Sequence, residues 1–93
     1  MPACAFNTVN VRAVAGRSAQ LGKRLQQIAD TVRTAPGCLG YVVQRSPIDP
    51  NLWTVIGQWA CAEQLNAHFE LPALQRFIEL TEEQLACRLD FHH

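Results

Sequence analysis

From Cys4 to Val14 the chain alternates imperfectly between apolar and polar positions. Ala5, Val9, Val11 and Ala13 fall on one face, with Phe6, Thr8, Asn10 and Arg12 on the other, which predicts a first strand. Gly16 and Arg17 make a turn, and Ser18 is a good helix N-cap. Leu21, Leu25, Ile28, Ala29 and Val32 then recur at helical spacing, predicting an amphipathic helix that ends before Pro36-Gly37. At 3.6 residues per turn it should run for about four to five turns.

Cys38 to Arg45 reads as a second strand, with Leu39, Tyr41 and Val43 pointing one way and Gly40 and Val42 the other. Pro47, Asp49, Pro50 and Asn51 break it with turn chemistry. Leu52 to Trp59 is the third strand, with Trp53, Val55 and Trp59 opposite Leu52, Thr54 and Ile56. The period then changes from two to nearly four. A second helix begins near Cys61-Ala62, with Leu65 and Phe69 on its apolar face, and is broken at Leu71-Pro72. Pro72 suits the first position of a further helix whose apolar stripe is Leu74, Phe77 and Ile78. Gln84 to His92 alternates again, Leu85, Cys87, Leu89 and Phe91 against Ala86, Arg88, Asp90 and His92, which predicts a last strand.

The order is therefore β-α-β-β-α-β, with the second helical region interrupted. One antiparallel sheet with its helices on one face, the ferredoxin-like α+β arrangement, is the economical solution for that order. The middle strands are apolar on both faces, unlike a sheet with one wet side. Helices can cover one face, so a second copy of the chain is expected on the other. The result is a homodimer through sheet faces, burying well above ~1,000 Å².

Composition narrows the function classes. The chain has 93 residues, read as a single domain over residues 1–93. A domain of that size buries only about 60–65% of its unfolded surface and gains from a partner subunit. Charged residues are only 17% against 48% hydrophobic, which also suggests a covered surface. Eight basic residues balance eight acidic ones, so no nucleic-acid or anionic-membrane partner is implied. The start of the chain lacks a basic segment followed by an apolar core, and no apolar run is long enough to span a bilayer. A cytoplasmic location is expected, with Cys4, Cys38, Cys61 and Cys87 reduced. Those cysteines form no C-x-x-C pair, so neither a zinc site nor a redox motif is indicated. There is no phosphate loop, nucleotide fingerprint or paired-histidine helix, and no cofactor or metal is expected.

Few residues remain that could carry chemistry. Trp59, at a strand end, reads either as ordinary core or as a flat wall with one N–H donor. His68 lies about 60° from Leu65 around the helix axis, at the border of the apolar face. There it could act as a general acid or base, or simply bond a carbonyl. Tyr41 could offer its hydroxyl to the same pocket or be core. Asparagine is unfavoured in strands, so Asn10 and Asn7 also stand out.

Taken together, Pro36-Gly37-Cys38-Leu39-Gly40-Tyr41, then Asp49-Pro50-Asn51, then Gln58-Trp59 with Glu63, Leu65 and His68 behind it, resembles the antibiotic biosynthesis monooxygenase family. Those proteins are small dimeric α+β barrels, many of them called quinol monooxygenases, and the resemblance covers nearly the whole chain. It implies a cofactor-free monooxygenase in which a phenolic, quinol or polyketide-like aromatic substrate supplies its own electrons to O2. On that reading His68, Trp59 and Asn10 are the catalytic residues, as proton acceptor, wall and donor, and substrate-oxygen ligand. Asn10 is preferred to Asn7, which lies nearer the fraying end of the strand. Tyr41 and Phe69 bind substrate. Two alternatives use the same barrel: an isomerase or lyase of small oxo-compounds, and a non-catalytic small-ligand-binding or stress-related protein. Related folds degrade haem with an Asn, a Trp and a His on the broken helix. The later helix here, from Ala73 to Leu80, has no histidine, which argues against haem degradation.

Overall fold

In β1 (Ala5–Ala13) the alternation is cleaner than the sequence suggested. Ala5, Asn7, Val9, Val11 and Ala13 are all buried, and the residues between them face outward. The computed structural model describes residues 5–68 and 71–92. After β1 come α1 (Ser18–Val32), β2 (Cys38–Arg45), β3 (Leu52–Trp59), α2 (Ala62–His68), α3 (Leu71–Glu82) and β4 (Ala86–His92). The strands form one antiparallel sheet in the order β2-β3-β1-β4. This is the ferredoxin-like α+β order, with the second helical region present as two helices.

The core lies between the helices and the inner face of the sheet. Val9, Val11, Val55 and Trp59 from the strands meet Leu21, Leu25 and Ile28 of α1, Leu65 of α2, and Phe77 and Leu80 of α3. Full burial of such side chains contributes about 1.5–3 kcal/mol each. The Phe77 ring packs edge-on against Phe91 of β4, with centroids 5.9 Å apart. Among the described residues, the helices leave the other face of the sheet bare. Phe6 is 54% exposed and Val42 43% exposed there. Among the described residues, no helix is long and apolar enough to cross a membrane.

Five local readings are corrected. Ser18 does not cap α1: Arg17 is the N-cap and makes no side-chain capping bond. The Ser18 hydroxyl instead donates to the Pro50 carbonyl (2.5 Å) and accepts from Trp53 Nε1 (3.0 Å) and Arg45 Nη2 (3.2 Å). Three partners on the β2–β3 hairpin replace one local backbone bond, and they tie the start of α1 to that hairpin. In β2 the register shifts between Cys38 and Gly40. The extra residue there is Leu39, which is 47% exposed instead of sharing the buried face with Tyr41. The last strand starts at Ala86, not Gln84, because Gln84 takes a left-handed turn (φ 61°). A second register shift opposite Arg12 and Ala13 leaves Cys87 exposed. In α3 the core contacts are Phe77 and Leu80, with Ile78 turned outward. The Leu74 side chain lies outside the described residues.

Candidate functional site

Asn7, Gly57 and Tyr41 form one row across the three neighbouring strands, because Gly57 is the register partner of both Asn7 and Tyr41. Trp59 follows two residues later on the same face of β3. All three side chains are buried, Asn7 and Tyr41 to 1% exposure and Trp59 completely. The indole N–H of Trp59 donates to Asn7 Oδ1 at 2.7 Å. Gly57 makes this closure possible. A Cβ there would lie 2.1 Å from Asn7 Oδ1 and 2.9 Å from both Trp59 Nε1 and Tyr41 Cε2. With Oδ1 engaged by the indole, Asn7 Nδ2 is buried and closes no hydrogen bond of standard geometry among the described residues. Leaving such a donor unpaired costs about 1–3 kcal/mol, so it marks a place of strain or function.

Burial pushes the Tyr41 hydroxyl well above the ordinary phenol range. A side-chain hydrogen-bond interaction with Asn7 acts in the opposite sense, and the nearby Cys38 adds a further upward push. Tyr41 is therefore a neutral hydroxyl across the physiological range. Its folded pKa lies above its unfolded one. The stability it contributes is whole below about pH 10, the unfolded value, and is lost as pH rises beyond it. Tyr41 is the only tyrosine in the chain, so tyrosinate absorbance reports it alone. In an alkaline titration that absorbance should appear together with the loss of helical circular dichroism. A tyrosinate signal developing near pH 10 in the folded protein would contradict this assignment. Burial likewise raises the Cys38 thiol, against smaller lowering effects from the Gly40 backbone and Arg33, which disfavours the thiolate.

Trp59 also reaches a pocket of about 210 Å³, whose lining includes Ala35, Pro36, Gln64 and Ala67. The turn before β2 builds one wall. Cys38 N–H donates to the Ala35 carbonyl (3.1 Å), and Gly37 has the positive φ (80°) that the third residue of a type II turn requires. Ala60 N–H donates to the Gly37 carbonyl (2.9 Å), pinning the turn to the end of β3. The opposite wall is α2, whose Gln64 carboxamide lies on Gly37 where a Cβ would be, 1.8 Å from Oε1. Leu65, its neighbour in sequence, anchors that helix in the core.

Of the residues singled out by sequence, the structure brings Trp59 and Tyr41 together. It does not bring Asn10 to them. Asn10 lies on the outer face of β1, where its Oδ1 accepts from Thr54 Oγ1 at 3.0 Å. Asn7, three residues earlier and on the inner face, is the asparagine beside Trp59. The missed signal was the two-residue period itself, which groups position 7 with Val9 and Val11. His68 is the last residue of α2, directly after the pocket residue Ala67. Its side chain, and the whole of Phe69, lie outside the described residues. Gln64 was not anticipated. Among the described residues, no three His, Cys, Asp or Glu side chains are grouped to hold a metal ion.

Comparison with known proteins fits this architecture. A family model described as antibiotic biosynthesis monooxygenase matches residues 5–80. Among solved structures, a Deinococcus radiodurans protein provisionally named as such a monooxygenase superposes with a TM-score of 0.83 at 23% identity, covering 94% of this chain and 86% of that one. The protein SO0527 from Shewanella oneidensis gives 0.81 at 16% identity, covering 94% and 84%. PA3566 from Pseudomonas aeruginosa gives 0.77 at 23% identity, covering 94% and 87%. At these identities the likeness establishes the shared fold. No curated protein is significantly similar in sequence.

Proposed function

Since the chain belongs to the antibiotic biosynthesis monooxygenase family, we propose that it is a cofactor-independent monooxygenase of a phenolic, quinol or related aromatic ring. The observation that carries this reading is the buried Nδ2 of Asn7, which closes no standard hydrogen bond among the described residues and lies one side chain from a pocket that Trp59 also lines. A preorganised amide donor in a water-poor site is suited to an oxygen that gains negative charge during reaction. The neutral Tyr41 hydroxyl in the same row is a second such group. A base must first take a proton from the substrate, and His68 is our choice for it. The substrate anion then passes an electron to O2, and the radical pair combines to a peroxide. Loss of water from that peroxide leaves a carbonyl at the carbon that took up O2, a ring C–H of a phenol or the CH2 of an anthrone; the two hydrogens of the water come from the substrate, and so do all the electrons.

Pocket size bears on the substrate. A cavity of about 150 Å³ holds benzene, and drug-sized ligands need about 300 Å³ or more. A pocket of about 210 Å³ suits one or two rings, which favours a small quinol or naphthol over a tetracyclic polyketide. Oxygen uptake measured with a panel of quinols, naphthols and anthrone tests the reading. Uptake matched by product formation, with no added metal or flavin and slowed in His68→Ala, is the expected result. No uptake with any member would leave the non-catalytic ligand-binding reading in its place.

The bare sheet face, with Phe6 and Val42 exposed and Leu52 and Ile56 half-buried, supports a homodimer formed through that face. A specific interface of this kind buries more than ~1,000 Å². Light scattering at micromolar concentration should give twice the 10.4 kDa chain mass. A clean monomer would overturn the dimer and the closed barrel with it.

A further inference from the structure

The pocket wall carries one polar side chain among its identified lining residues, and three observations fix how it is held. The Gln64 carboxamide rests against Gly37, in space that only a residue without a Cβ leaves open. Its Oε1 accepts from Cys61 Sγ at 3.4 Å, one helical turn earlier. Its Nε2 has no acceptor among the described residues. The remaining lining residues, Ala35, Pro36, Trp59 and Ala67, are apolar or aromatic. We propose that Gln64 is the specificity-determining residue of this pocket, donating from Nε2 to an acceptor oxygen on a one- or two-ring aromatic ligand that lies against Trp59.

The chemistry follows from how the amide is held. An amide that is free to rotate offers donor and acceptor equally and discriminates little. Here the thiol occupies the oxygen side, so the NH2 side is left for a ligand. The site therefore prefers a carbonyl or deprotonated hydroxyl oxygen over a bare hydrocarbon edge. Gly37 has a double role: its positive φ shapes the turn, and its missing side chain seats the amide. Gln64 thus selects an oxygenated ring at the pocket wall, while Asn7 lies deeper, beyond Trp59. The inference rests on the pocket being the aromatic-ligand site of the proposed function, but it needs no turnover to test.

The probes are α-tetralone and tetralin, which share size and shape and differ in one acceptor oxygen. Their affinities are measured by isothermal titration calorimetry on the wild-type protein, Gln64→Leu and Gln64→Glu. The wild type should bind α-tetralone about five- to tenfold more tightly than tetralin, the range of one net hydrogen bond. Gln64→Leu should bring the ratio near one by losing tetralone affinity while keeping tetralin affinity. Gln64→Glu retains the side-chain length but presents oxygen to oxygen, and should also lose the preference. A ratio unchanged in both variants, with melting temperatures like the wild type, overturns the role of Gln64 and leaves the pocket reading intact. If neither probe binds the wild type, the pocket reading falls and the proposal with it. Binding of both probes without oxygen uptake by any substrate would sustain Gln64 and remove only the monooxygenase reaction.

Discussion

Gly57→Ala should lower stability by about 3 kcal/mol, although it adds a single methyl group. The new Cβ would stand 2.1 Å from Asn7 Oδ1 and 2.9 Å from Trp59 Nε1 and Tyr41 Cε2. None of these can simply swing away. Asn7 is centred in β1 between two strands, and the two rings are fully enclosed. Overpacking of this kind costs about 1–3 kcal/mol. Displacing the carboxamide also breaks its 2.7 Å bond to the Trp59 indole. Loss of that bond from a buried donor adds a further cost of about 1–3 kcal/mol. For a domain this small the melting temperature should fall by about 15 °C. Gly40→Ala, on the adjoining strand, is the control. Its Cβ would meet nothing nearer than Gln58 Oε1 at 3.5 Å, and the change should stay within about 0.5 kcal/mol. Thermal melts followed by circular dichroism measure both. In the Gly57→Ala background, Asn7→Ala should restore part of the loss, because the nearest obstructing atom is gone. Equal melting of Gly57→Ala and wild type would mean that the row is far looser than described.

The second large effect separates the two asparagines of β1. With a substrate that supports oxygen uptake, Asn7→Ala should reduce kcat by about 10²–10³-fold, the usual consequence of removing one preorganised oxyanion donor. Its effect on stability should be smaller than burial alone suggests. The substitution takes away the bond that the Trp59 N–H makes to Oδ1, but it also removes an Nδ2 that closes no standard hydrogen bond among the described residues. Asn10→Ala should change kcat little and lose only the bond from Thr54. The reverse outcome, an inactive Asn10→Ala and an active Asn7→Ala, would move the reaction to the outer face of the sheet.

The contrast between Asn7 and Asn10 shows what the sequence could carry. Strands, helices and their order are legible because each depends on local period and turn residues. The sheet order follows from β-α-β-β-α-β and the economy of covering one face. Which asparagine matters is not local. Asn7 gains its meaning from an indole 52 residues away in the chain, and the alternation that places it inward was outweighed by its nearness to the strand end. Ser18 was misread for a related reason. It sits where a cap belongs, but partners on Arg45, Pro50 and Trp53 compete for its hydroxyl. Gln64 left no trace at all, because its position is set by a glycine on another element. The resemblance carried the fold. It could not carry the register shifts that turn Leu39 and Cys87 outward.

Those two shifts have one consequence for the life of the protein in a crowded solution. Both fall on the outermost strands, β2 and β4. A regular outer strand offers unpaired peptide groups in an even row, a template on which another chain can extend the sheet without limit. An added residue bends the strand and spoils the spacing of that row. Each rim of this sheet is irregular in that way, so strand-by-strand polymerisation is discouraged at both rims. The dimer proposed above would instead close on the apolar face into a finite particle.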